Sequence, residues 1–163
     1  MGIDSQWFAR LYQDNYRSLV LVAYAMTNDL GDAEDLAQET FAVAYRKRGQ
    51  VAETDSPAAW LRTVVVNLAR KRWRRRSLLH RLLIPRAEPS PPADIGAEHA
   101  ELHAAIGALE QERRAVVVLH YLADLPVEEV AAVLRVPVGT VKSRLSRARA
   151  ALAQRLTTEV GHD

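Results

Sequence analysis

The residues best suited to do chemistry in this sequence are cations and hydrogen-bond donors at helical spacing near the C-terminus. Between Val138 and Leu152 apolar residues recur every three or four positions, as in an amphipathic helix. Only Glu159 and Asp163 follow as acids, so salt bridges along the helix cannot explain the positive run. Such a face suits phosphates and base edges, although a charged exterior kept for solubility is the alternative. The donors are Thr140, Lys142, Ser143, Arg144, Arg147 and Arg149.

A second cluster of cations, RKRWRRR over residues 70–76, surrounds a single aromatic side chain, Trp73. Arginine binds phosphates and an aromatic ring stacks on unpaired bases, so this composition suits an opened nucleic-acid strand. Two alternatives stay open from the residues alone. Trp73 can equally anchor the helix in a core, and a basic run is most often a solvated helix end.

Groups for acid–base, nucleophilic or metal chemistry form no usable set. Glu34, Asp35 and Glu39 cluster in the first turns of a predicted helix, where they favour a charged docking face over an acid/base pair. Only His99 and His103 have the i,i+4 spacing of metal ligands, and no third ligand is near. Cysteine is absent, which excludes thiol nucleophiles and disulfides. We expect no catalytic residues, no metal site and no cofactor.

The elements that position these residues are all predicted to be helical. A first helix runs over residues 5–27, a second opens at Asp32 and closes at residues 46–48, and residues 49–56 read as a polar loop. Ser56 caps a third helix that begins at Pro57 and leads into the basic run. Strand alternation, internal repeats and glycine-rich phosphate loops are missing from the sequence.

The sequence predicts an all-α protein of two small domains. Residues 1–76 form the first, and residues 77–97, which hold four of the seven prolines, form a linker. Residues 98–163 form a four-helix domain, with apolar positions at Leu102, Ile106 and Leu109 in its first helix. Its last two helices are separated by the three residues Arg135–Pro137, which is helix-turn-helix spacing and places the final basic helix in a major groove.

The charge of the chain alternates in blocks that its net +2 conceals. Residues 61–86 carry nine Lys/Arg and no acid, whereas residues 87–134 carry two Lys/Arg against nine Asp/Glu. Basic blocks predict a polyanionic partner, and acidic blocks predict a protein partner or avoidance of that polyanion. The longest apolar run is too short to span a bilayer and no signal peptide is recognisable, so we expect a cytoplasmic protein with no direct membrane contact.

Three segments together resemble a known family, the group 4 (extracytoplasmic-function) bacterial sigma factors. Residues 32–45, DAEDLAQETFAVAY, resemble the helix that docks on the clamp of RNA polymerase. Residues 57–76, PAAWLRTVVVNLARKRWRRR, resemble the segment that melts and reads the −10 promoter element, and residues 109–152 resemble the domain that reads the −35 element. The resemblance implies a non-enzymatic factor whose partners are core RNA polymerase and promoter DNA, with a possible anti-sigma factor. Two such elements, some 17 base pairs apart, are separated by roughly 58 Å.

The resemblance assigns roles residue by residue. For polymerase docking it implies Asp32, Glu34, Asp35, Gln38, Glu39 and Phe41. For the −10 element it implies Arg62, Asn67, Arg70, Lys71, Trp73, Arg74, Arg75 and Arg76, with the loop over residues 49–56 capturing a flipped base. For the −35 element it implies Thr140, Lys142, Ser143, Arg144 and Arg147.

Departures from the family pattern sharpen these expectations. Lys71 stands where an acid is frequent, which strengthens the grip on the strand, and Arg135 stands where a glycine is usual in the turn. The linker begins with basic residues, His80, Arg81 and Arg86, where family linkers are often acidic. In the free protein the domains are expected to be either mobile or folded together. The main alternative function is a helix-turn-helix regulator that binds duplex DNA without joining polymerase.

Overall fold

The structure, a computed structural model, describes residues 5–82 and 97–160, and within these ranges it contains helices and turns but no strand. The predicted all-α class is thus confirmed. The helices are α1 (Ser5–Thr27), α2 (Leu30–Arg46), α3 (Arg48–Glu53), α4 (Pro57–Arg81), α5 (Ala97–Gly107), α6 (Gln111–Val117), α7 (Val127–Leu134) and α8 (Val138–Val160). A π-helical turn, Val118–Leu122, continues α6.

The N-terminal half is built on α1, α2 and α4, which pack on one another around fully buried leucines. Ser56 caps α4 as predicted, because its Oγ accepts a hydrogen bond from the backbone N–H of Ala59 at 3.1 Å. The start of α2 differs from the prediction. The helix begins at Leu30, two residues before Asp32. Asp29 is its cap, and its carboxylate accepts the N–H of Asp32 at 3.1 Å. The buried leucines are Leu19, Leu36 and Leu61.

The predicted loop over residues 49–56 was wrong for its first five residues, which lie in α3. That short helix forms because Val51 is fully buried and pulls one turn of the chain onto the core. Helix α4 continues through residues 77–81, the first five of the predicted linker. Residues 83–96 of that linker, with Arg86, lie outside the described residues.

The C-terminal half contains the predicted helix-turn-helix. Helices α7 and α8 are joined at Arg135, whose φ of 57° and ψ of 46° are left-handed, a conformation that costs a non-glycine residue about 1–2 kcal/mol. In α5 the predicted apolar face is only partly buried. Ile106 lies in the core, whereas Leu102 is 41% exposed.

The two halves are folded together through a continuous hydrophobic core. Helix α1 contacts α5, α6 and the π-helical turn, and α4 contacts α6 and the same turn. The Tyr24 and His103 rings meet across this boundary with centroids 5.4 Å apart. The free protein was expected to have domains that are either mobile or folded together. The structure has the second arrangement, which we call closed.

Candidate nucleic-acid interface

Helix α8 presents a donor face because its apolar stripe is fixed against α6 and α7. Val141, Leu145 and Ala148 are buried on one side of the helix, so residues on the other side must point to solvent. This orientation is the one the spacing predicts. Of the predicted −35 residues, Lys142, Ser143 and Arg147 are exposed and Thr140 is half-buried.

Arg144, the remaining predicted −35 residue, is engaged within the protein. Its Nη1 lies 3.0 Å from Oε2 of Glu112 on α6, and the side chain is 25% exposed. Arg149 on the same helix donates from Nε to the hydroxyl of Tyr121. A DNA contact by Arg144 therefore has to replace an existing ion pair.

Helix α4 has one exposed face that carries four of the eight predicted −10 residues. Asn67, Lys71, Arg74 and Arg75 are all exposed, and the first three recur at i, i+4 and i+7. Trp73 is 44% exposed, which argues against the alternative of a buried core anchor. Trp73 projects from another side of the helix, about 100° from Arg74, and lines a cleft with Arg72, Arg76 and Arg114. The four side chains of the exposed face are available to a strand without rearrangement of the fold.

A different face of α4 is turned to α2. Arg76 hydrogen-bonds through both Nη atoms to the two carboxylate oxygens of Asp32, with Nη2 2.7 Å from Oδ1. These hydrogen bonds raise the pKa of Arg76 above its ordinary value, although burial acts the other way. Arg72 lies 3.7 Å from Asp32 Oδ1 and 3.4 Å from Glu39 Oε2. Arg76, predicted to hold DNA, is thus paired inside its own domain.

The remaining predicted −10 arginines face the C-terminal half. Arg62 donates from Nη1 to the carbonyl oxygen of Ala123 at 3.2 Å and lies 4.0 Å from Asp124. Burial lowers the pKa of Arg70, while the nearby carboxylate of Glu112 opposes that effect. Glu112 therefore acts on α4 and also pairs with Arg144 of α8. The two predicted DNA faces adjoin in the closed arrangement.

The predicted docking residues on α2 divide into surface and interior groups. Phe41 is 3% exposed, and its ring packs on the ring of Tyr12, with centroids 4.6 Å apart. It therefore packs α2 against α1 and does not face solvent. Asp32 is committed to α4 and is 12% exposed. The exposed members of the set are Glu34, Asp35, Gln38 and Glu39.

Arg114 is the main residue that sequence reasoning missed. Its guanidinium donates to the carbonyl oxygens of Ile106 (3.3 Å), Gly107 and Leu109 (3.1 Å) in its own half, and to Met26 of α1 (2.8 Å). Burial lowers its pKa. Because it joins the C-terminal end of α1 to that of α5, it fastens the two halves. The sequence held one signal for it. Arg113 and Arg114 are the two cations of residues 87–134, which otherwise carry nine acids.

Within residues 5–82 and 97–160, no three His, Asp or Glu side chains come together as a metal site. His103, one of the two histidines at ligand spacing, packs on Tyr24 instead. No helix in that described part of the chain is long and apolar enough to cross a membrane.

Two family models match the chain, one after the other along the sequence. The model of Sigma-70 region 2 matches residues 11–78, and that of Sigma-70 region 4 matches residues 99–152. The structure is similar to the sigma factor RpoE of Bartonella quintana, solved in complex with the anti-sigma factor NepR. The TM-score is 0.76 at 24% identity, covering 93% of this chain and 98% of that one, which supports the fold alone.

Two curated relatives carry the family assignment further. The probable RNA polymerase sigma factor RfaY of Xanthomonas campestris pv. campestris is 33% identical, over 93% of this chain, although the chain spans only 40% of that protein. The ECF RNA polymerase sigma factor SigM of Mycobacterium tuberculosis (strain Erdman) is 30% identical over 94% of this chain and 79% of its own length. With both regions present in order, the chain belongs to the sigma-70 family as an extracytoplasmic-function RNA polymerase sigma factor.

Proposed function

We propose that this sigma factor reads the −35 element with α8, opens and reads the −10 element with α4, and docks on core RNA polymerase through α2. One observation carries the proposal: the protein has two exposed basic faces, one on α4 and one on α8, and each lies within one of the two matched regions. It acts as an alternative sigma factor in transcription initiation and has no catalysis of its own.

For the −35 element, the exposed donors of α8 enter the major groove. Lys142 and Arg147 are already free to meet DNA, and Arg144 exchanges Glu112 for a base edge. An arginine bidentate to guanine contributes about 1–3 kcal/mol of discrimination between bases. Thr140 and Ser143 supply further hydrogen bonds at the groove edge.

For the −10 element, the exposed face of α4 follows the opened strand. Lys71, Arg74 and Arg75 contact phosphates and Asn67 faces a base. Trp73, from another side of the helix, stacks on a further base. Unstacking a base costs a few kcal/mol, so a pocket must repay it. We place that pocket at α3 and the turn over residues 54–56, which leads into the capped start of α4.

For polymerase docking, the exposed acidic face of α2 supplies the contact. Glu34 and Asp35 meet solvent and can bind a basic protein surface without a change in the domain. Glu39 first has to leave Arg72, and Gln38 has to leave the hydroxyl of Tyr12. Phe41 then acts from within, by holding α2 in place. The docking residues are Glu34, Asp35, Gln38 and Glu39.

Promoter binding requires the closed arrangement to open. The halves contact each other through Arg62 and Arg114, yet the two promoter elements lie roughly 58 Å apart. Release of these contacts frees Arg62 and Arg70 for the strand. We place the domain boundaries at residues 1–76 and 98–163, with α4 extending beyond the first and the proline-rich linker allowing the separation.

A protein that holds the halves closed would keep the factor inactive, so we propose an anti-sigma factor as a further partner. The Bartonella relative is a sigma factor solved with such a protein. Because polymerase and promoters are cytoplasmic in bacteria, we place the chain there, with no direct membrane contact.

The test is transcription by core RNA polymerase on a promoter library with and without this protein. Specific run-off transcripts that depend on the protein are expected. A variant with Lys142 and Arg147 both changed to Ala is the control, and it should lose transcripts that need a −35 element. Intact duplex binding without any transcript would instead favour the regulator that never joins polymerase.

A further inference from the structure

The C-terminal part of α4 is held to the domain differently from its N-terminal part. The buried side chains of the helix end at Ala69, and none of residues 70–81 is buried. The hydrophobic core therefore cannot fix the orientation of the last three turns, which carry most of the cations. What meets α2 along these turns is the ion-pair network of Arg72 and Arg76 with Asp32 and Glu39.

Asp32 is the centre of this network. Both of its carboxylate oxygens accept hydrogen bonds from Arg76, and Arg72 approaches Oδ1 at 3.7 Å. Its own backbone is fixed, since its N–H is donated to the Asp29 cap in the first turn of α2. A planar guanidinium bound at both Nη atoms resists rotation as well as displacement.

Helical geometry connects this network to the strand-binding face. Arg72 and Arg76 are one turn apart and share a side of α4, whereas Asn67, Lys71 and Arg74 centre roughly 150° away around the axis at 3.6 residues per turn. Fixing the first side against α2 therefore fixes the second side toward solvent. The exposure of those three residues agrees with this geometry.

We propose that Asp32 is a positioning residue for promoter opening: through Arg76 and Arg72 it holds the C-terminal turns of α4 so that Lys71 and Arg74 face the −10 strand. This inference rests on the proposed function of α4. It also reassigns Asp32, which falls on the polymerase-docking pattern but is only 12% exposed, while Asp35 on the same helix is exposed.

The test compares Asp32→Asn with Asp35→Asn in holoenzyme assembled from the full chain and core polymerase. Permanganate reactivity of unpaired thymines measures −10 opening, and a titration measures core affinity. At saturating core, Asp32→Asn should open the promoter about tenfold more slowly, because misplacement of a reacting surface is costly, with core affinity changed less than about twofold. Asp35→Asn should weaken core affinity and leave opening at saturation unchanged.

Reversal of that pattern would overturn the proposal. If Asp32→Asn loses core affinity as Asp35→Asn does and opens normally at saturation, Asp32 is a polymerase contact. Circular dichroism and retained core binding exclude misfolding of the variant. Should Asp32→Asn misfold, Arg76→Lys is the milder variant, which keeps the charge but loses the bidentate geometry, and it should slow opening less than Arg76→Gln.

A double-mutant cycle gives a readout specific to the pair. Asp32→Asn combined with Arg76→Gln should slow opening no more than the worse single change, because each removes the same interaction. Additive losses would show that the residues act separately and would overturn the pairing. If wild-type holoenzyme gives no transcripts, the proposed function fails, and the same cycle on thermal unfolding of the free chain still tests the pair.

Discussion

Helices α4 and α8 are both long and rich in arginine, yet the protein uses their charges in different ways. On α4, two arginines pair with acids of α2 and two face the other half, which leaves one exposed basic face. On α8, Lys142 and Arg147 are exposed, whereas Arg144 forms an ion pair with Glu112. Basic composition therefore does not by itself define a DNA-binding surface.

The difference follows from what anchors each helix. Buried apolar residues, from Val141 as far as Ala148, hold one side of α8 in the core. The charged side chains of α8 are therefore not needed to anchor the helix. Beyond Ala69, α4 has no buried side chain, and its cations serve as anchors as well as contacts. Each prediction below tests one part of this contrast.

The largest effect is expected at Arg114. Its hydrogen bonds hold the two halves together and so keep α4 in contact with the C-terminal half. Arg114→Leu leaves the carbonyls of Met26, Gly107 and Leu109 without this donor, and we expect a loss of about 2–4 kcal/mol in the free energy of unfolding. Urea unfolding followed by circular dichroism measures it. Arg113→Leu is the matched control and should cost less than about 0.5 kcal/mol.

Arg144 tests whether α8 reads sequence. Arg144→Ala should weaken binding of a −35 duplex by about 1–3 kcal/mol and leave binding to scrambled duplex nearly unchanged, because a base contact and not a phosphate contact is lost. Fluorescence anisotropy on both duplexes measures the difference. Arg149→Ala is the control from the same helix, and equal losses on both duplexes for Arg144→Ala would contradict its role in reading.

Substitutions on the exposed face of α4 should have the opposite effect to Arg144→Ala, because they should weaken binding to every sequence. Changing Arg74 and Arg75 to Gln should reduce the slope of log affinity against log salt by roughly 1–2, since about 0.7 counterion is released per single-strand phosphate contact. Holoenzyme binding to −10 oligonucleotides over a salt series measures the slope. A loss restricted to one sequence would indicate base reading by these arginines.

The smallest effect is expected in the turn that sets α8 against α7. Arg135→Gly removes the strain of a left-handed non-glycine residue, partly offset by the greater freedom of glycine in the unfolded chain, so stability should rise by about 0.5–1 kcal/mol. The melting temperature then rises by roughly 2–4 °C per kcal/mol. Arg135→Ala keeps the strain and should give no such gain.

Local patterns predicted most of the helices. The Ser56 cap followed by Pro57 predicted the start of α4, and apolar spacing predicted the buried side of α8, because both signals lie within a few residues of the structure they specify. Helix α3 was missed because its formation depends on a single buried residue, Val51, and not on a repeated pattern. The DNA roles of the assigned residues remain predictions.

The sequence by itself determined which faces of α4 and α8 are basic, since 3.6 residues per turn convert spacing into sides of a helix. Only the tertiary structure decided which of those charges are engaged. Arg76 meets Asp32 across 44 positions and Arg114 meets Met26 across 88, and such pairs exist only once helices pack. Spacing is a property of one helix, whereas an ion pair requires two elements to be brought together by the core.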